Sequence, residues 1–215
     1  MNPPVDIVMF DLDGTLADTG LDLADSVNFT RRHFELPPLP QRLVYAHIGR
    51  GVEHLLNQSL PEASAQHFEV VMRVFLAHYE AHLLSRTVLY PGVREVLGHF
   101  RGKRRLVVSN KLHRLTLAVV RGLGVAREFD AILGGDSAAE KKPHPALLHL
   151  ALEKFQIPAA RALMVGDSDI DIEAGKRAGV MTCGVTYGLG NQADLLAAQP
   201  DQLIDDLTGL SDYFY

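Results

Sequence analysis

Five short apolar runs separated by longer amphipathic stretches constrain this chain more than any other feature. Val5–Phe10, Arg105–Ser109, Ala131–Gly134, Ala162–Gly166 and Met181–Thr186 are the runs, each near the usual strand length of about five or six residues. Helical spacing fills residues 92–100, 112–122, 145–155 and 169–178. Strands joined by helices of that length make βαβ units, so the expected fold is α/β, with a parallel sheet covered on both faces. In such a sheet the ligand crevice opens beyond the carboxyl ends of the strands. Four runs lead into polar residues at that end: Asp11, Ser109, Asp136 and Asp167.

One stretch interrupts the alternation. Between the first run and Val88 no strand candidate occurs, while Phe68, Val71, Met72, Phe75, Leu76, Tyr79 and Leu83 follow helical spacing and make one apolar stripe. Pro37, Pro38, Pro40 and Pro61 divide the rest into shorter helices. Residues 18–86 are therefore expected to form a helical insert, a lid or cap over a core of residues 1–17 and 87–215. The alternative is an ordinary helical layer of that same core.

Composition narrows the function. A chain of 215 residues with 47% hydrophobic and 22% charged residues has the makings of a globular fold. Lys+Arg is 21 against Asp+Glu 26, a net charge of −5, and the densest basic cluster is Arg101 to Arg105. A nucleic-acid partner needs a cationic surface, so none is expected. One cysteine, Cys183, excludes an internal disulfide and a cysteine-rich zinc site; it sits in an apolar run and reads as a small core residue. The start, MNPPVD, has neither a basic leader nor a long apolar stretch, so no membrane partner and a cytoplasmic location are expected.

The first run passes directly into Asp11-Leu12-Asp13-Gly14-Thr15-Leu16. Two carboxylates two residues apart can project to one side of an extended chain, and Gly14 permits a sharp departure. Acids at the lip of an apolar strand suit a site better than a core; helix capping by Asp13 is the structural alternative. Taken alone, Ser109 reads as a helix N-cap before 112–122, and Lys142 beside Lys141 as a solvated charge pair. The ten histidines form no His-Glu-x-x-His zinc motif, and His78 and His82, four apart, read as a half-exposed helical face. Gly49-Arg50-Gly51 lacks the third glycine of a dinucleotide fingerprint. Arg50 at this tight turn, before a helix expected at 52–60, is a candidate for holding a substrate carboxylate, the alternative being a solvent-exposed arginine.

Four segments in order carry a family resemblance. Asp11-Leu12-Asp13-Gly14-Thr15-Leu16 resembles the first motif of the haloacid dehalogenase-like hydrolase superfamily, and Val107-Val108-Ser109-Asn110-Lys111 the second. Lys142-Pro143-His144-Pro145 resembles the third, and Gly166-Asp167-Ser168-Asp169-Ile170-Asp171 the fourth. The third departs slightly, with Lys141 where a glycine often precedes the lysine. The resemblance implies a Rossmann-like core with a helical cap inserted after the first strand. It also implies Asp11 as nucleophile, Asp13 as general acid and base, and a phosphoryl site made by Ser109, the backbone amides of Asn110 and Lys111, and Lys142. Magnesium is the implied cofactor, held by the Asp11 and Asp167 side chains and the Asp13 backbone carbonyl. Asp171 is expected to support Lys142 or a metal-bound water rather than the metal directly.

The second aspartate favours phosphoryl transfer over dehalogenation. Ser109-Asn110-Lys111, Gly49-Arg50-Gly51 and Val185-Thr186-Tyr187-Gly188 are most similar to the phosphoglycolate phosphatase group. The leading expectation is a magnesium-dependent phosphatase for a small phosphorylated metabolite, 2-phosphoglycolate being the best substrate. A phosphomutase of the β-phosphoglucomutase type and a non-catalytic regulatory protein on the same fold are the alternatives.

Overall fold

The computed structural model describes residues 4–215; residues 1–3, the start of the expected core segment, lie outside it. The chain opens with β1 (Ile7–Phe10) and the two-residue β2 (Ala17–Asp18), followed by α1 (Gly20–His33), α2 (Gln41–Tyr45), α3 (Val52–Ser59) and α4 (Pro61–His82). It returns through β3 (Val88–Leu89), α5 (Val93–His99), β4 (Arg104–Val108), α6 (His113–Gly122), β5 (Ala131–Leu133) and α7 (Ala146–Phe155). β6 (Ala162–Gly166), α8 (Asp169–Ala178), β7 (Met181–Val185), α9 (Gln192–Ala197), β8 (Gln202–Ile204) and α10 (Leu210–Tyr213) complete it.

Six strands form one parallel sheet in the order β5-β4-β1-β6-β7-β8. The chain runs outward from β1 through β4 to β5, then crosses back to β6 on the other side of β1. That reversal makes the carboxyl ends of β1 and β6 the switch point where α/β sheets hold ligands. Side chains alternate across β1: Val8 and Phe10 pack with Val119, Val120 and Leu207 on one face. Ile7 and Met9 pack with Leu147, Leu148 and Ala174 on the other. The five expected strands and four expected core helices are all present; β8 is an addition that no apolar run announces.

The expected helical region exists as α1–α4, between β2 and β3. α4 has a break at His67 (φ −141°, ψ 39°) and buries Val71, Phe75 and Tyr79 of the anticipated stripe. These pack with Leu23, Val27, Val44 and Leu56, and with Leu115 of α6. The chain enters and leaves this layer at one place, where β2 and β3 pair antiparallel, Asp18 opposite Val88. Among the described residues no helix is long and apolar enough to cross a membrane.

Buried Asp22, in the first turn of α1, fastens the returning chain. Its carboxylate accepts hydrogen bonds from the backbone N–H of Arg86 (3.0 Å) and Thr87 (2.9 Å) and from the Thr87 hydroxyl (2.8 Å). Asp22→Ala leaves those donors without an acceptor, so a stability loss of about 2–4 kcal/mol is expected in urea unfolding. A loss below about 0.5 kcal/mol, ordinary for a surface substitution, would show that the carboxylate is not the fastener.

Candidate active site

The acids gather at the switch point because the neighbouring strands β1 and β6 end there and α8 begins there. Asp11 follows β1 and stays in the ladder, its N–H donating to the Val165 carbonyl (2.9 Å). The chain then turns at Gly14 (φ +90°), where a Cβ would lie 2.1 Å from Asp167 Oδ2; only glycine lets this loop and β6 approach so closely. Asp167, just past β6, accepts from the Leu189 and Gly190 amides (2.8 Å each) and from the Thr15 hydroxyl (3.1 Å). Asp171 enters from α8, which begins with a capping box: Asp171 Oδ2 accepts from the Ser168 hydroxyl (2.6 Å) and amide (3.2 Å).

Lys142 is the buried cation among these acids. Its Nζ donates to Asp11 Oδ1 (2.8 Å), Asp171 Oδ1 (2.7 Å) and the Val108 carbonyl (2.6 Å). All three protons of the ammonium are thus used. Burial pulls its pKa down, but Asp11 and Asp171 outweigh that and hold it above the ordinary lysine value. Burial, with Lys142 opposing and Asp171 and Asp13 adding, pushes the Asp11 carboxyl up to about 6. Asp167 is pushed up to about 8, by burial first and then by Asp171 and Asp11, against the two amide bonds.

Asp11, Asp167 and Asp171 each offer an oxygen within 4.8 Å of the others, all buried. Carboxylate oxygens crowded this closely suit a hard divalent cation. The expected ligands Asp11 and Asp167 are therefore together, and Asp171 stands with them as well as beside Lys142. The Asp13 side chain faces another way. Its Oδ1 accepts from the Thr19 hydroxyl (2.6 Å) and pairs with Lys111 Nζ (3.0 Å).

Ser109, after β4, lines a cavity with Asp11 and Asp13, and its hydroxyl accepts from the Lys111 amide (3.3 Å). The Asn110 side chain is a bracket: Nδ2 donates to the carbonyls of Gly49 (3.0 Å) and Lys142 (2.8 Å), and Oδ1 accepts from the Lys142 amide (2.8 Å). Of the two readings for Arg50, the structure has the exposed side chain outside the cavity lining. Gly49 and Gly51, with φ of +99° and +90°, line the cavity, whereas Arg50 pairs with Asp169 at 2.6 Å while 45% exposed.

Sequence reading missed the Lys111 side chain, which donates to Tyr79 Oη of α4 (2.8 Å). Only the Lys111 amide was given a role there, and Tyr79 was counted as one member of an apolar stripe. The alternation that aims Ser109 at the site aims Lys111 the same way, and that was the available signal. His78 and His82 stack on each other, with His78 Nδ1 3.0 Å from the Ser26 hydroxyl, away from the acids. Cys183 is buried in the core.

Known proteins with this architecture supply the family. Residues 8–185 match the profile described as haloacid dehalogenase-like hydrolase. A phosphoglycolate phosphatase of Colwellia psychrerythraea is 33% identical, with 95% of each chain covered. Another, of Chromobacterium violaceum, is 36% identical over 87% of this chain and 88% of that one. The crystal structure of a predicted phosphoglycolate phosphatase from Haemophilus somnus superposes with a TM-score of 0.92 at 32% identity, covering 97% of both chains. A profile match through every strand that builds the site, and relatives alignable over nearly their whole length, mean that the chain is an enzyme belonging to the haloacid dehalogenase-like hydrolases.

Proposed function

We propose that this enzyme is a magnesium-dependent phosphatase acting on 2-phosphoglycolate through an aspartyl-phosphate intermediate. The observation that carries the chemistry is the Asp11 carboxylate at the switch point, fixed by Lys142 at 2.8 Å inside a buried acidic cluster. The relatives named phosphoglycolate phosphatase support the substrate.

An Asp11 oxygen attacks phosphorus, and the bond from phosphorus to the ester oxygen breaks. Asp13, held by Thr19 and Lys111, gives its proton to the departing alkoxide, so glycolate leaves neutral at its hydroxyl. Asp13 then takes a proton from the water that attacks the aspartyl-phosphate, releasing phosphate and restoring Asp11. Ser109 and the amides of Asn110 and Lys111 hold the phosphoryl oxygens, with Lys142 as the fixed counter-charge. Asp11 and Asp167, with the Asp13 carbonyl, would hold magnesium, and Asp171 positions Lys142. When bound, the cation neutralises charge between the carboxylate and the phosphoryl group. Residues 18–86 act as a cap that shuts water from a core of residues 1–17 and 87–215.

The test is phosphate release from purified protein. Phosphoglycolate is expected to be the best member of a panel of phosphorylated metabolites, with chelator stopping release and magnesium restoring it. Release that persists in chelator would remove the metal from the reading. Product analysis on a sugar phosphate with its bisphosphate that reveals isomerisation would favour the mutase.

A further inference from the structure

We infer that Lys111 and Tyr79 form the subsite for a second anionic group, a carboxylate, on the leaving-group side of the substrate. The inference rests on the phosphatase reading above. Among the described residues Lys111 is the only basic one lining the cavity, and its side chain is 5% exposed. The rest of the wall above the reacting acids is apolar, with Leu23, Val52, Leu55, Phe75 and Leu115. A phosphoryl group at Asp11 therefore leaves one place where a second negative charge can be paired.

The hydrogen-bond count identifies that place independently. The Lys111 ammonium has three donors: one goes to Asp13 Oδ1, one to Tyr79 Oη, and the third has no acceptor among the described residues. Tyr79 Oη accepts from Lys111, and its own proton also has none. Two donors without acceptors, one of them charged, are costly in a buried site and are satisfied by an anionic oxygen.

Spacing agrees with a short hydroxy-acid phosphate. In phosphoglycolate one methylene carbon separates the ester oxygen from the carboxylate. Asp13, the donor to the ester oxygen, touches Lys111, the donor to the carboxylate, at 3.0 Å. Arg50, bound to Asp169 outside the cavity lining, does not supply this charge.

The test compares kcat/KM for phosphoglycolate and for ethyl phosphate, which differs by the carboxylate. Calorimetry adds binding of 3-phosphonopropionate against propylphosphonate, a pair that differs in the same way and is not hydrolysed. The wild type is expected to prefer the carboxylate-bearing member of each pair. Tyr79→Phe is expected to cut that preference about 10-fold, and Lys111→Met about 100-fold, in both measurements. If the wild type shows no preference, the phosphoglycolate reading fails and takes the subsite with it. If the wild type prefers the carboxylates and both variants keep the full preference, the subsite alone is wrong. Equal kinetic losses on both substrates, with the phosphonate preference intact, would reduce Lys111 to a positioning residue for Asp13 and overturn the inference. If Lys111→Met does not fold, Tyr79→Phe, which removes one hydroxyl, decides by the same two ratios.

Discussion

Replacing Asp11 by Asn is expected to abolish turnover, by about 10^4-fold or more, while the protein stays folded. The amide has the shape of the carboxylate but no nucleophilic oxygen to form the acyl phosphate. Folding should survive because the lost charge is one that burial already disfavours, its pKa being pushed up to about 6. Lys142 keeps Asp171 at 2.7 Å, so its ammonium is not left alone. The covalent step is checked by quenching wild-type enzyme in acid during turnover of radiolabelled substrate. Hydroxylamine-labile phosphate should be attached to the wild-type protein and missing from Asp11→Asn. Residual activity within tenfold of wild type would sink the nucleophile assignment.

Asp167→Asn should separate activity from stability. Asp167 shares a buried cluster with Asp11 and Asp171, while Lys142 pairs with the latter two, so in the metal-free protein the charge that Asp167 acquires at high pH is repelled. The folded Asp167 carboxyl holds its proton up to about 8, against 3.8 for the ordinary group. Between those values the folded state binds more protons than the unfolded state, so its stability falls as pH rises. In chelator, wild-type stability is expected to decline between pH 4 and 8, and Asp167→Asn should decline less and melt higher at pH 8. The same substitution should lower activity about 10^3-fold and erase the rise in melting temperature that magnesium gives the wild type. Asp171→Asn should reduce activity through Lys142 yet keep most of that magnesium response. If Asp171 proves the residue on which the response depends, the proposed ligand set is wrong.

The legibility of this chain follows physical scale. Strands buried on both faces must be apolar throughout, so β1 and β6 stand out in sequence, and helices such as α8 carry their own start and stop in Ser168, Asp171 and Gly179. The acids were visible because a charge at the end of an apolar run has few structural uses. β8 was not: it has three residues, of which only Ile204 is buried, and it is held by pairing with β7 rather than by its own pattern. The β2–β3 pair is shorter still. Lys111 and Tyr79 meet only because α4 folds over the end of β4, and neither local spacing nor composition encodes that contact. Arg50 stood between two readings for a related reason. Flanking glycines announce a turn without saying which way its tip points, and the partner that decides it, Asp169, lies 119 residues further along the chain.

The pairing of Asp18 with Val88 also bears on how such a chain can change over time. Because the ends of the helical segment lie one strand spacing apart, about 5 Å, the sheet is indifferent to what is spliced between them. Helices there can lengthen, shorten or be exchanged for another set without altering the register of β1, β4 or β6. Among what a replacement must reproduce are a carbonyl at the position of Gly49 for Asn110, and hydroxyls at those of Tyr79 for Lys111 and Thr19 for Asp13. Selection can then retune the choice of leaving group through a handful of positions while the strand ends that break the bond are left alone.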